Sequence, residues 1–361
     1  MNEHGWRVGV VAQSHSVVEN MLAGIVAAGM SPERVAKAKC QSPEPTWTAF
    51  PDAKSLATHI GTSTTGYVVG GTAWDFTNPN CITPGSLDLL VVDEAGQFCL
   101  ANTIAVATAA SNLLLLGDPR QLPQVSQGTH PEPVDESALG WLAEGHGALP
   151  ADRGYFLPVT WRMHPDLCAR VSDLSYEGRL RSKSEITTRR ALDGVPPGVR
   201  SVEVAHEGNA TCSPEESAEI VRAVAAVLGS AWTDDADSPP RPLGEEDVLV
   251  VAPYNAQVTR LRQDLAAAGL HRVQVGTVDR FQGRQAAMVF VSMTASAVED
   301  VPRGMSFLLS RNRSNVALSR GKWSAVIVRS GALTDHLPST PDGLIELGAF
   351  MRLTEAEPTG T

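Results

Sequence analysis

Aromatic residues are scarce, at 5% of 361 positions, and no apolar run approaches the ~18 residues that a membrane-spanning helix requires. Residues 1 to 15 lack the basic-then-apolar order of a signal peptide, so a cytoplasmic location is expected. The five cysteines (Cys40, Cys81, Cys99, Cys168 and Cys212) include no C-x-x-C pair, so neither a zinc site nor a disulfide framework is indicated. Positive charge is in short supply. A net charge of −11 argues against binding nucleic acid through a general electrostatic field and leaves only local basic channels for phosphate contacts. There is no short-period repeat and no long low-complexity tract. What remains is a chain that is 43% hydrophobic, dominated by Val, Leu and Ala, a composition suited to buried parallel strands covered by helices.

Short apolar runs ending in polar turns alternate with longer helical patterns, the signature of βαβ units. Strands are expected over 7–12, 66–70, 87–92 and 112–116, with helices over 16–28 and 100–110. The theme repeats, with strands over 200–204, 247–252, 274–278, 288–293 and 324–328 and helices over 214–228 and 255–268. At roughly 150 residues per domain the length suggests two. The Gly- and Pro-bearing segment 145–158 reads as their junction. The expected division is 1–150, 151–345 and a C-terminal tail over 346–361, with 234–244 as a surface excursion.

An apolar strand, Leu89-Leu90-Val91-Val92, delivers Asp93 and Glu94 at its C-terminal end, the edge where open α/β sheets bind ligands. Two acids there can divide the work of nucleotide hydrolysis, one holding Mg²⁺ and the next positioning water. An isolated Asp-Glu pair is more often a plain acidic turn. The next strand changes that balance, because Leu113-Leu114-Leu115-Leu116 runs into Gly117-Asp118-Pro119-Arg120-Gln121-Leu122-Pro123 and again places polar groups at a strand's end.

With these residues in hand, the sequence resembles the superfamily 1 helicases, in the branch related to the nonsense-decay helicase and to nuclease-linked DNA helicases. Asp93-Glu94-Ala95-Gly96-Gln97 looks like motif II, and Gly117 to Pro123 looks like motif III, whose glutamine, here Gln121, senses the γ-phosphate. Trp161-Arg162-Met163-His164-Pro165 is similar to motif IV, in which Arg162 would reach the γ-phosphate and Trp161 would lie against the base. Val251-Ala252-Pro253-Tyr254-Asn255-Ala256-Gln257 matches a further family segment. Gly276-Thr277-Val278-Asp279-Arg280-Phe281-Gln282-Gly283-Arg284-Gln285 is similar to motif V, and Asn315-Val316-Ala317-Leu318-Ser319-Arg320 to motif VI, with Arg320 as an arginine finger.

The resemblance implies two RecA-like doubly wound parallel-sheet domains meeting over ATP and Mg²⁺. Asp93, Glu94 and Gln121 would come from the first, and Arg162 and Arg320 from the second. Positive charge arriving as the phosphoryl oxygens become more negative is what phosphoryl transfer needs. Asp93 would hold the metal, and Gln97, Trp161, Gly283 and Gln285 would bind nucleotide. Gln13-Ser14-His15-Ser16 resembles motif Ia, and Gly71-Thr72-Ala73-Trp74 another strand-binding motif. Ser14, Thr72, Trp74 and Thr277 are therefore the expected contacts to single-stranded nucleic acid, DNA ahead of RNA. Against these stand plainer readings: an ordinary helix cap for Ser14, a packed core aromatic for Trp74, and a surface salt bridge for either arginine.

The sequence contains no Gly-x-x-x-x-Gly-Lys-Ser/Thr, the loop that cradles phosphates with backbone amides and a lysine. Met1 falls where the family would be finishing the helix after that loop. The first domain is thus expected to be incomplete at its N-terminus and damaged, the loss of a strand beside the motif II strand leaving unpaired backbone groups or forcing a neighbour to slide across. An upstream polypeptide carrying that loop, and a nuclease domain, is an expected partner. Gln285 stands where the family has glutamate, and Trp161 replaces a tyrosine. The leading expectation is a nucleotide-driven helicase or translocase moving 5′ to 3′, unable to hydrolyse ATP alone. The alternatives are a non-catalytic nucleic-acid-binding or interaction protein of the same shape, or one half of a split gene product.

Overall fold

The computed structural model describes residues 5–122, 130–146, 149–235, 237–281 and 283–355. The chain divides into two compact units, Met1–Arg153 and Gly154–Thr361.

Unit 1 is built on six parallel strands: β1 (Arg7–Val11), β2 (Val35–Ala38), β3 (Thr48–Phe50), β4 (Tyr67–Gly71), β5 (Leu89–Val92) and β6 (Leu113–Leu115), in the spatial order β3-β2-β4-β1-β5-β6. Helices α1 (His15–Ala27), α2 (Ala53–Thr62), α3 (Ala73–Phe76), α4 (Leu100–Ala107) and α5 (Ala138–Ala143) complete it. Two apolar clusters form the core. One gathers Val8, Val10, Val18, Leu22 and Val68, and the other Val11, Val69, Phe76, Leu87, Leu90 and Val92, so alternate residues of the central strands point to opposite clusters.

The chain leaves β1 toward β4 and β2 but leaves β5 toward β6. With right-handed crossovers those opposite directions put the connections on opposite faces and open a crevice at the carboxyl ends of β1 and β5.

Unit 2 opens with the short parallel pair β7 (Val159–Thr160) and β8 (Arg181–Ser182), joined through α6 (Pro165–Ser175). After α7 (Ser184–Thr187) comes β9 (Ala191–Leu192), which forms a small antiparallel sheet with β11 (Ala231–Thr233) and β12 (Arg241–Pro242). The main sheet is parallel, ordered β10-β16-β15-β13-β14, from β10 (Gly198–Glu203), β13 (Val248–Val251), β14 (Gln274–Gly276), β15 (Ala286–Ser292) and β16 (Gly321–Arg329). Helices α8 (Pro214–Val227), α9 (Asn255–Ala267), α10 (Met305–Leu308), α11 (Arg311–Leu318) and α12 (Pro341–Thr354) pack around it. Here β13 connects outward to β14 while β15 connects the other way to β16, so the switch-point crevice lies at the carboxyl ends of β13 and β15.

The architecture is α/β with two parallel sheets. One expectation is corrected and two are made specific. Of the two outcomes expected beside the motif II strand, unpaired backbone is not seen among the described residues: β5 is paired on one side by β1 and on the other by β6, and β6 lies at the sheet's edge. Residues 346–354 are not a tail, because they continue α12, which buries Leu347, Phe350 and Leu353. The 234–244 excursion returns to the fold as β12, where Arg241 pairs with Asp247 at 2.5 Å.

Strands β2 and β3 escaped the periodicity because β2, Val-Ala-Lys-Ala, carries a lysine. Lys37 is nonetheless wholly buried, 3.0 Å from Glu19. Burial pushes the Glu19 carboxyl up, but hydrogen bonds from the Gln41 N–H and from Lys37 outweigh it and hold the group below its ordinary value.

Candidate nucleotide and nucleic-acid sites

In unit 1 the motif II and motif III turns interlock at the switch-point crevice. Asp93 follows β5 and its N–H bonds to the Val11 carbonyl, while Glu94 takes a left-handed conformation (φ 53°) that turns the chain sharply. The Ala95 N–H then reaches the Leu116 carbonyl at 2.8 Å. A Cβ on Gly96 would lie 2.8 Å from the Asp118 carbonyl carbon, and one on Gly117 would lie 2.7 Å from the Ala95 nitrogen. Only glycines allow this backbone approach. Gln121 folds onto the same turn, its Nε2 3.5 Å from the Asp118 carboxylate, and Asp118 also caps the Arg120 N–H at 2.8 Å. Gln13 donates to the Gln97 carbonyl, so the motif Ia turn touches motif II across the crevice. The Gln97 side-chain nitrogen is buried and has no hydrogen-bond partner among the described residues. Pro123 lies outside the described residues.

Asp93 is half-buried, and burial pushes its carboxyl above the ordinary range, opposed by the Glu94 N–H. Among the described residues there is no group of three or more His, Cys, Asp or Glu that would cage a metal. Mg²⁺ does not need one, since it takes one or two carboxylates alongside water and substrate phosphates. A desolvated carboxylate at a strand's carboxyl end fits that donor set.

The expected strand-binding residues of unit 1 divide. Ser14 caps α1, its Oγ accepting from the Val17 N–H at 3.4 Å and lying 3.0 Å from Ser16 Oγ, so the plain capping role is realised. Thr72 donates its hydroxyl to Asp75 at 2.9 Å, and the same carboxylate accepts the Thr72 N–H. Trp74 is 85% exposed, which rules out a packed core aromatic and leaves its ring open to solvent.

In unit 2 three distant segments converge on Arg162. Its Nε donates to Gln285 Oε1 at 3.2 Å and its Nη1 to the Ser319 carbonyl at 2.9 Å, joining motifs IV, V and VI. Burial lowers the Arg162 guanidinium below its usual value. Trp161 beside it is 61% exposed, with Lys183 Nζ 5.8 Å from its ring centroid. Gly283 has φ 79°, a backbone conformation that favours glycine. Gln282 lies outside the described residues, and Thr277 is partly exposed just past β14. Arg320 is only 3% exposed, and its Nε donates to the Val316 carbonyl of the helix that precedes it. The Arg320 carbonyl in turn accepts from the Ala286 N–H at the start of β15.

Two groups emerge that the sequence did not point out. Arg190 donates to the carbonyls of Arg162 and Trp161 and to that of Asp234, fixing the backbone from which Arg162 projects. No motif surrounds it, so nothing in the sequence signalled it. The second is a buried polar network on α8. Glu216 accepts from Ser292 Oγ at 2.5 Å and the Thr294 N–H at 2.9 Å and lies 3.1 Å from His206 Nε2. Gln257, from the Val251–Gln257 family segment, accepts from the Ser213 N–H and donates to Ser292 at 3.0 Å. The glutamine in that segment is a brace between α8, α9 and the end of β15.

A family model described as an AAA domain matches residues 135–331, more than half of the chain. The chain is 27% identical over 288 residues to 5'-3' DNA helicase ZGRF1 of Mus musculus, covering 73% of this chain and 14% of that protein. It is 28% identical over 252 residues to probable helicase senataxin of Homo sapiens (66% of this chain, 9% of that protein). To DNA-binding protein SMUBP-2 of Rattus norvegicus it is 28% identical over 305 residues, with 78% and 28% covered. The chain thus spans less than a third of the length of these relatives. Among solved structures, an arterivirus nonstructural protein 10 (helicase) in complex with DNA aligns at TM-score 0.45 and 13% identity, over 95% of this chain and 57% of that one. With its motifs gathered in two parallel α/β units and this family match across its second half, the chain belongs to this AAA-domain family and is a superfamily 1 helicase relative.

Proposed function

We propose that this chain supplies the hydrolytic and strand-gripping parts of an ATP-driven, Mg²⁺-dependent translocase that moves 5′ to 3′ on single-stranded DNA. The observation that carries the reading is the convergence of Gln285 and the Ser319 carbonyl on the half-buried Arg162 guanidinium. A structural arginine could be satisfied by one surface carboxylate. Among the described residues this one is held by two neutral acceptors and pairs with no carboxylate, which leaves its charge available to an anion.

The chain's own groups divide the chemistry of phosphoryl transfer. Asp93 would hold Mg²⁺, which when bound neutralises phosphate charge, and Glu94 orients the attacking water. Gln121 reports the γ-phosphate to its own motif III turn, whose Asp118 it contacts and whose backbone abuts motif II at Gly96. Arg162 and Arg320 meet the charge that grows on the transferred group. Gln97 with its unpartnered amide, Trp161 with its open ring, Gly283 and Gln285 bind nucleotide. Ser14, Thr72, Trp74 and Thr277 line the strand path. The preference for DNA rests on two relatives, a 5'-3' DNA helicase and a DNA-binding protein. Because the sequence contains no phosphate-cradling Gly-x-x-x-x-Gly-Lys-Ser/Thr, a separate or upstream polypeptide provides it.

One observation favours a second reading. Arg320 is buried with its Nε held by the Val316 carbonyl, an arrangement that a strand-binding protein without turnover could keep unchanged. ATP hydrolysis with single-stranded DNA separates the two. Turnover is expected only when a polypeptide bearing the phosphate loop is supplied, and Glu94→Gln should abolish it. No turnover with any such polypeptide would favour the non-catalytic reading.

A further inference from the structure

At the carboxyl end of the unit 2 sheet, two arginines share one aromatic ring. The Arg303 guanidinium carbon lies 4.0 Å from the Phe307 ring centroid and that of Arg313 lies 4.2 Å from it. Tyr254, which follows β13, packs its ring 5.8 Å from Phe307, and its buried phenol oxygen has no hydrogen-bond partner among the described residues. Among the described residues, the one carboxylate paired with either guanidinium is Asp279, 3.8 Å from Arg313 Nη1 and half-exposed. Donors therefore crowd a place with almost no acceptors.

The position is the switch-point crevice of this sheet, since Tyr254 lies past β13 while Arg303 and Phe307 lie on the excursion past β15. Stability alone does not account for it. Arg311 and Arg313 occupy the first turn of α11, where the helix dipole favours acids, in a chain whose acids outnumber its bases 40 to 29. Such a local conflict, kept at a sheet's ligand edge, marks function rather than packing. Burial and the nearby Arg303 also push the Arg313 guanidinium down, with Asp279 only partly opposing. An anion would relieve that.

We infer that Arg303, Arg313 and Tyr254, assembled on Phe307, form a phosphodiester-binding site that grips the backbone of a single nucleic-acid strand. The inference rests on the nucleic-acid reading above and extends the strand path beyond Thr277, which lies two residues before Asp279. Two guanidinium forks and a phenol O–H suit the several acceptor oxygens of a phosphate. The ring holds the arginines in place, so little order is lost on binding.

The test is anisotropy of a labelled oligo-dT with the full chain across a range of salt, for the native protein, Arg303→Ala and Phe307→Leu. Arg303 is exposed, so its variant should melt as the native protein does. Both variants should weaken binding about three- to ten-fold, and Arg303→Ala should lower the salt slope by about one phosphate contact. Inorganic phosphate at concentrations that leave ionic strength matched should compete poorly. If the native chain binds and Arg303→Ala changes neither affinity nor slope, or if inorganic phosphate displaces the strand fully, this site is refuted while the nucleic-acid reading stands. If the native chain does not bind oligo-dT at all, that reading itself fails.

Discussion

Asp93 shows how function and stability oppose one another at a single side chain. A carboxyl whose pKa is raised on folding holds its proton more tightly in the native state, so its favourable contribution is present at low pH and is lost as the pH rises through the folded value. Asp93→Asn should therefore raise the melting temperature of unit 1 at neutral pH, with little change at acid pH, while removing any Mg²⁺-dependent turnover. A lower melting temperature at pH 7 would show that the carboxylate is stabilising after all. Gly96 is constrained from the other direction, by the Asp118 backbone opposite it. Gly96→Ala should cost about 1–3 kcal/mol in urea unfolding through forced separation of the two turns. A neutral effect would mean the turns do not meet. Residues of this kind were legible because they fall within short motifs. Arg190 was not, since its role depends on carbonyls 28 and 29 residues away that only the fold brings near.

Among the elements, β6 carries an unresolved conflict. Four successive leucines read as a strand buried on both faces, yet β6 forms the sheet's edge, with Leu113 41% and Leu114 43% exposed. An open apolar edge invites pairing with another chain. Sedimentation should show concentration-dependent association of the native protein that Leu114→Lys reduces, with its melting temperature nearly unchanged. Equal behaviour of the two would mean the edge is covered. In unit 2 the brace around Glu216 plays the opposite part, holding α8, α9 and the end of β15 as one body. Glu216→Ala strands Ser292, the Thr294 N–H and His206, and should cost about 3–5 kcal/mol, read by urea unfolding of unit 2. Strands with clean apolar runs, such as β5 and β13, could be read directly from the sequence. Strand β2 could not, because Lys37 breaks the pattern and its burial is made tolerable by Glu19, 18 residues earlier, together with the Ala38 and Lys39 carbonyls.

At the scale of the whole molecule, two parallel α/β units were legible from the alternation of strands and helices. The position of β6 at an edge was not, because strand order depends on long-range pairing that local pattern does not encode. The six motif segments were legible as chemistry, but their gathering into a Gly96–Gly117 interlock in one unit and an Arg162 hub in the other is a property of the folds. On the proposed function, both sets serve one reaction. A double-mutant cycle on strand-stimulated ATP hydrolysis, with the phosphate-loop polypeptide supplied, tests this most directly, using Glu94→Gln, Arg162→Ala and the pair. Groups that act as a unit in one transition state lose little more when removed together than singly, so the double variant should be no slower than the slower single variant. Rate losses that multiply independently, or an Arg162→Ala protein that turns over at the native rate, would contradict it.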